Sequence, residues 1–559
     1  MTTPDATDAT DRLVARTAAG AVRGRREEDL TVFRGIPFAA PPVGEARFQA
    51  PRPPHRWDGI REAYAFGPPP PQEAGIQGRA GILDAPTGDD WLTVNVWTPD
   101  TEPDASAARP VMVWIYGGAY KLGHSGSPGY DAQHLARAGD LVIVTFNYRV
   151  GIEGFARIEG APANRGLLDQ VAALEWVRDN IAAFGGDPGR VTVFGESAGA
   201  GSVAALLAMP SARGLFGRAI AQSVPGTYFS DELARDLASA IAAEAGLRPT
   251  AADLATVDPR TLTEAGAALG AKMAQRVDRW GQVAPTVTPF SPVVDGEILP
   301  TTPWEALAAG AARDVELIVG HNAQEYRLFL VLGGLLGKVT EEQATAVLRL
   351  FAPGGGPEGE QAYRSAFPDA DPGELYERVQ SDWLFHIPSL HLAEAQVAGG
   401  GRAHVYELTW PAPGAGGALG ACHGLDIPLL FGTYAADLGN LLFAGAEVTD
   451  EARALTASFH RSWTSFARTG DPGWPAYDPE QRLVQVLDAE PEVRPYPEET
   501  SRRLWEGHGF PPLPLLDGGV TDGVEGSVQD GVESSVQDGV ESSVQDGVEG
   551  AVPGTGARA

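Results

Sequence analysis

Cysteine is nearly missing from these 559 residues: Cys422 is the only one. An intrachain disulfide is therefore excluded, folding needs no oxidising compartment, and a cytoplasmic location is expected. Lysine is almost as rare, with Lys121, Lys272 and Lys338 set against a large arginine count, a bias from which no function is read. Long apolar runs are lacking too. No stretch approaches the ~18 apolar residues of a membrane span, and the N-terminal MTTPDATDATDRL has no basic start followed by an apolar core, so neither a span nor an export signal is expected. Positive charge is short overall: 42 Lys and Arg face 73 Asp and Glu, for a formal net charge of -31. Phosphate-rich partners need clustered cations, so unaided binding to nucleic acid or to an anionic membrane is not expected, and the charge reads as solubility.

What is present is an ordinary globular composition, 43% hydrophobic and 21% charged, enough apolar material for a deep core. Residues 1–11 are polar and aperiodic and are expected to fray. Short apolar runs broken by Gly and Pro follow, as in TVFRGIPF from Thr31 to Phe38, and predict small strands and turns. Residues 91–98, 111–116, 141–147 and 191–194 are strand-like, mostly continuous in apolar residues as central strands buried on both faces require. Between the last two, Gly166 to Phe184 is apolar at helical spacing, so strand and helix alternate as in a parallel, doubly wound sheet. Ala-rich segments from Asp231 to Met273, Glu341 to Leu350 and Pro388 to Gln396 predict helices that cap the sheet and wall a site. Octapeptide units of the type DGVESSVQ begin at Asp522, Asp530, Asp538 and Asp546. One Val pair per unit cannot bury enough surface to offset backbone ordering, which predicts a solvated acidic tail over 515–559 and one large α/β domain over 12–514. Calcium-binding repeats need closely spaced aspartates that these units lack.

The sharpest chemical signal is VTVFGESAG, Val191 to Gly199, a strand running into Gly-Glu-Ser-Ala-Gly and then an Ala-rich helical stretch. A nucleophilic serine must sit on a tight, strained strand-to-helix turn, so Gly195 and Gly199 remove side chains that would collide there and Ser197 projects above the sheet. The helix after it points free amides at the same spot, so the N–H of Ala198 is available to an oxyanion. Upstream, WIYGGAY from Trp114 to Tyr120 follows a predicted strand. Read alone, Gly117-Gly118 is a turn; placed upstream of the elbow it supplies the amides of Gly118 and Ala119 to the same hole.

These motifs stand within longer blocks: FRGIPFAAPPVGEARF (Phe33 to Phe48), DDWLTVNVWTP (Asp89 to Pro99), NYRVGIEGF (Asn147 to Phe155), Asn164 to Gly199, SPVVDGEILP (Ser291 to Pro300), HGLDIPLLFG (His423 to Gly432) and SFARTGDPGWPAY (Ser465 to Tyr477). Together they resemble the type B carboxylesterases, the family of bacterial para-nitrobenzyl esterases and cholinesterases, over roughly Leu13 to Pro512. The resemblance implies an α/β-hydrolase fold, a mostly parallel central sheet flanked by helices with helical cap insertions, and a chain order of Ser, acid, His. The acid falls on Glu325 in GHNAQEYRLF, although Gln324 and Tyr326 replace the usual Asp and Gly around it. The base falls on His423 in GACHGLDIPLLFG, whereas His321, His386, His391, His404, His460 and His508 lack that flanking pattern. Pro70 and Trp91 stand where secreted members carry a disulfide. Cys422, beside the base, reads as a small buried hydrophobe. Glu196 is expected on the site floor and, with Ser223 of the AQS segment, to help position water or the histidine.

The expected chemistry is serine hydrolysis of small carboxylic esters through an acyl-enzyme, with substrate and water as the only partners and no metal or organic cofactor. A carbamate or amide hydrolase with the same residues is the alternative. A non-catalytic binding or scaffold protein of the same fold is a third reading, against which the retention of Ser197, Glu325 and His423 weighs.

Overall fold

The apolar runs read from the sequence pair with one another in a single sheet. The computed structural model describes residues 13–73, 86–101 and 108–516. The N-terminal segment 1–11 and the octapeptide units from Asp522 lie outside the described residues. Among those described, eleven strands form the main sheet: β1 (Arg25–Glu27), β2 (Leu30–Pro37), β3 (Thr93–Thr98), β4 (Arg109–Ile115), β5 (Val142–Phe146), β6 (Gly186–Glu196), β7 (Arg218–Gln222), β8 (Glu316–Asn322), β9 (Arg402–Leu408), β10 (Leu483–Leu487) and β11 (Glu492–Pro495). Their order is β11, β10, β9, β8, β7, β6, β4, β5, β3, β2, β1. Every neighbouring pair from β5 across to β10 is parallel, and the pairs at both margins are antiparallel. This is the α/β-hydrolase architecture of a mostly parallel sheet, and its central strands are buried along their length because helices cover both faces.

The sequence located the central strands but cut some of them short. The run at 191–194 belongs to an eleven-residue strand, Gly186–Glu196, because β4 pairs with it as far back as Arg109 against Gly186. TVFRGIPF is one strand rather than several pieces, with its register broken by a bulge between Phe33 and Ile36. Helix Arg165–Asn180 crosses over between β5 and β6 as expected. It is tied to the β5 end by a fully buried ion pair in which Arg149 donates from Nε and a terminal nitrogen to Asp169 at 2.8 and 2.7 Å.

The expected cap helices occur at Asp231–Glu244, Pro259–Gly270, Glu341–Phe351 and Ile387–Ala398. Two more, Gly356–Ala366 and Pro372–Ser381, escaped the sequence reading because Gly and Pro crowd their starts. The second was signalled by D-P-G-E: Asp371 and Glu374 form a reciprocal capping box with Pro at the first turn. Asp382–His386 then makes a single π-helical turn that joins it to Ile387–Ala398. No helix among the described residues is long and apolar enough to cross a membrane.

Parallel strands deliver their C-terminal ends to one edge of the sheet, where crossover loops leave room for a site. Here five adjacent strands do so in the order β9, β8, β7, β6, β4. The loops that follow them carry, respectively, His423, Glu325, Ser223, Ser197 and the Gly117-Gly118 pair.

Candidate active site

Ser197 is the hinge between β6 and helix Ala198–Ala208, and its φ of 57° lies in the left-handed region that a residue with a side chain rarely adopts. What enforces the turn is packing against β4. A Cβ on Gly199 would sit 2.0 Å from the carbonyl oxygen of Ile115, and one on Gly195 would meet that oxygen at 2.7 Å. Only glycine allows the three segments to approach so closely, which lifts Ser197 off the sheet.

The three residues of the expected order meet there. His423 Nδ1 lies 2.6 Å from Glu325 Oε2, and His423 Nε2 lies 2.9 Å from Ser197 Oγ. A carboxylate only accepts, so Nδ1 carries the proton and the Nε2 lone pair faces the serine hydroxyl. Glu325 is fully buried. Its other oxygen, Oε1, accepts from the Asn322 N–H at 2.7 Å and the Ser223 hydroxyl at 2.6 Å. Ser223 therefore reaches the acid, where the sequence reading expected it beside water or the histidine. Its φ of 60° at the end of β7 turns the hydroxyl toward β8.

The substitutions around Glu325 do not disturb its loop. Tyr326 has φ -75°, an ordinary right-handed conformation that needs no glycine. Gln324 ties the acid loop to the histidine loop, since its side-chain oxygen accepts from the Ala421 N–H at 2.8 Å and its own N–H donates to the Ala421 carbonyl at 3.0 Å.

Glu196 lies beside the same imidazole, with Oε1 3.2 Å from His423 Nε2 and without a hydrogen-bond partner for that oxygen among the described residues. Burial pushes its carboxyl well above the usual range, against the pull of the nearby histidine. Burial alone would lower His423, but the charges of Glu196 and Glu325 and the bond to Glu325 outweigh it and raise the imidazole above its ordinary value. Asp426, which sequence reasoning passed over, is a further buried acid: its Oδ2 accepts from Gln222 Nε2 at 2.5 Å and from the Tyr406 hydroxyl at 3.3 Å. The only signal for it was its place three residues after His423. Phe385, which carried no signal at all, stacks on the His423 ring at 4.3 Å between centroids and 27° between planes.

The backbone N–H groups of Gly118, Ala119 and Ala198 donate to no acceptor among the described residues. Gly118 has φ 115° and Ala119 φ 55°. The Thr288 hydroxyl holds the Ala119 carbonyl at 2.8 Å. Three free donors around the Ser197 hydroxyl are suited to a negative oxygen. Cys422 is buried and unpaired, and burial pushes its thiol up to about 12, which removes it as a nucleophile at neutral pH.

The chain matches the family model described as the carboxylesterase family over residues 11–505. It is 36% identical over 500 residues to the para-nitrobenzyl esterase of Bacillus subtilis strain 168, covering 88% of this chain and 98% of that protein. It is 34% identical over 492 residues to the phenmedipham hydrolase of Pseudarthrobacter oxydans, covering 86% and 96%. Among solved structures it is similar to a Geobacillus stearothermophilus carboxylesterase at pH 6.2, with a TM-score of 0.77, 36% identity and coverage of 88% of this chain and 100% of that one. A solved structure of PNB esterase aligns with a TM-score of 0.76, at 36% identity over 88% of this chain and 99% of that one.

Proposed function

This chain belongs to the carboxylesterase family and is a carboxylic ester hydrolase, and we propose that Ser197 is its nucleophile, His423 its general base and acid, and Glu325 the carboxylate that orients the base. The observation that carries the assignment is the position of His423 between the two others, 2.9 Å from Ser197 Oγ and 2.6 Å from Glu325 Oε2. In the forward step Ser197 Oγ bonds to the ester carbonyl carbon while its proton passes to His423 Nε2. The amides of Gly118, Ala119 and Ala198 receive the oxyanion, each donor lowering the barrier by about 3 kcal/mol in sites of this type. The tetrahedral adduct collapses, the alcohol leaves with the proton from Nε2, and an acyl-Ser197 ester remains. Water then loses a proton to the same nitrogen, attacks the acyl carbon, and releases the acid as Ser197 regains its hydrogen. Glu196 and Ser223 support the cycle from beside the histidine and the acid respectively.

The reading extends to a single functional unit over 12–514 with the acidic segment 515–559 outside it, acting on small esters and water in the cytoplasm of a bacterium. The bacterial relatives, the lone buried Cys422 and the net charge of -31 favour that setting, without a nucleic-acid or membrane partner.

The test is hydrolysis of para-nitrophenyl esters of increasing acyl length by the intact protein and by Ser197→Ala. Short esters are expected to be cleaved, and the variant to lose activity by on the order of a million-fold in kcat. A variant that still forms an acyl-enzyme would overturn the assignment of Ser197.

A further inference from the structure

The π-helical turn Asp382–His386 lies behind the acid and holds a second histidine whose bonding is as constrained as that of His423. His386 Nδ1 is 2.9 Å from Asp382 Oδ1, and its Nε2 is 2.9 Å from the carbonyl oxygen of Asn322. Both side chains of the pair are buried, at 2% and 0% exposure. The protonation state follows from the partners. Trp505 Nε1–H donates to the Tyr363 oxygen at 2.7 Å, leaving that hydroxyl to donate to Asp382 Oδ2 at 2.9 Å, so Asp382 accepts on both oxygens. A carboxylate and a carbonyl can only accept, and His386 must therefore donate from both ring nitrogens as an imidazolium.

The groups around it agree. Burial alone would lower His386, but the bond and charge of Asp382, with Glu498 and Glu325 beyond, raise it. His321 of β8, whose ring is tilted 36° to it with the centroids 4.4 Å apart, is driven down by burial and by this cation, and stays neutral with Nε2 facing the Tyr496 hydroxyl at 2.9 Å. Glu407 of β9 is raised by burial, and Arg378 of the preceding helix is neutralised by Glu498. A cavity of about 520 Å³ lies behind the acid loop, and His386, Gln324 and Arg327 are among its walls.

Residues 381–386 touch both flanks of the acid and the ring of His423. Ser381 Oγ accepts from the Tyr326 N–H at 3.0 Å, just after the acid. His386 grips the Asn322 carbonyl, and the N–H of that residue donates to Glu325 Oε1. Phe385, next in the chain, lies flat on the imidazole of His423. The widened turn puts residues 385 and 386 against these two targets together, in keeping with the functional use of single π turns.

We propose that His386 is a positioning residue for the esterase reaction, an imidazolium clamped by Asp382 that fixes Asn322 and hence the carboxylate of Glu325, while the turn it shares with Phe385 fixes His423. The inference rests on the roles proposed above for Glu325 and His423. A buried positive charge behind the acid also disfavours a second positive charge on His423, so it keeps the base neutral to lower pH.

The experiment is kinetics of His386→Gln on para-nitrophenyl acetate across pH, beside His391→Gln, which lies on the following helix and away from the site. The expected result for His386→Gln is a fall in kcat of on the order of tenfold to a hundredfold with KM little changed, and an acid limb displaced to higher pH. His391→Gln should match the parent. A His386→Gln enzyme with parental kcat and pH profile, or one that loses activity with the profile unmoved, overturns the proposal. Should that variant fail to fold, the ring-nitrogen NMR shifts of His386 in the parent protein decide: two protonated nitrogens at about pH 8 are required, and a neutral ring refutes the clamp. Failure of the underlying reading is seen separately, as activity that survives in Ser197→Ala or Glu325→Gln.

Discussion

Glu196 Oε1 and His423 Nε2 stand 3.2 Å apart, at the same nitrogen that faces the Ser197 hydroxyl. A negative charge there favours the protonated imidazole, the form that cannot act as base. Replacing Glu196 with Gln removes that charge while keeping the shape. His423 then stays neutral to lower pH, so the acid limb of kcat/KM for para-nitrophenyl acetate is expected to move down. A limb that stays in place or moves up would show that Glu196 carries a proton throughout the working range. The shift is opposite in sign to that expected for His386→Gln, because the two neighbours carry opposite charge.

Gly199→Ala is expected to damage both stability and activity. Its methyl would sit 2.0 Å from the Ile115 carbonyl oxygen and 3.0 Å from the Tyr116 carbonyl carbon, backbone atoms that cannot swing aside as a side chain would; overpacking of this kind costs about 1–3 kcal/mol or more. Thermal unfolding and kcat should fall together, because Ile115 leads directly into the Gly117-Gly118 loop. Gly217→Ala, where a Cβ would meet nothing within 4 Å, is the silent control.

Asp169→Asn breaks a fully buried ion pair and leaves Arg149 without its counter-charge. A loss of about 3–5 kcal/mol is expected, read as a lowered unfolding midpoint in calorimetry or urea titration. A change within error would mean that Arg149 finds another acceptor.

Cys422 is adjacent to His423 in the chain, yet its buried thiol is pushed up to about 12. Iodoacetamide at about pH 8 is expected to leave activity intact and to label the protein only after denaturation, checked by mass spectrometry alongside the esterase assay. Inactivation of the folded enzyme in step with labelling would contradict this.

Legibility followed the range of the interactions. Ser197, Gly195 and Gly199 could be read because the elbow is a local object: strand, glycines and helix are consecutive, and the steric need for glycine is written at fixed offsets. Glu325 and His423 could be reached only through the resemblance, since a lone carboxylate or imidazole has no local signature. The replacement of the usual Gly by Tyr326 raised a question about the loop that the sequence could not answer. The conformation at 326 answers it, being one that any residue adopts.

His386, Asp382 and Phe385 were illegible for a physical reason. Phe385 lies on His423, 38 positions away, and His386 bonds to Asn322, 64 positions away, while Asp382 acts only through His386 and Tyr363, and their spacing along the chain is that of any buried helix. By itself the sequence determined the alternation of strand and helix, the strained turn at Ser197 and the pair of glycines before it, all consequences of local sterics and periodicity. Only the tertiary structure decided which buried charges face one another. The sheet order β9, β8, β7, β6, β4 brings loops far apart in sequence to one edge, and there the buried charges of Glu196 and Glu325 act on His423.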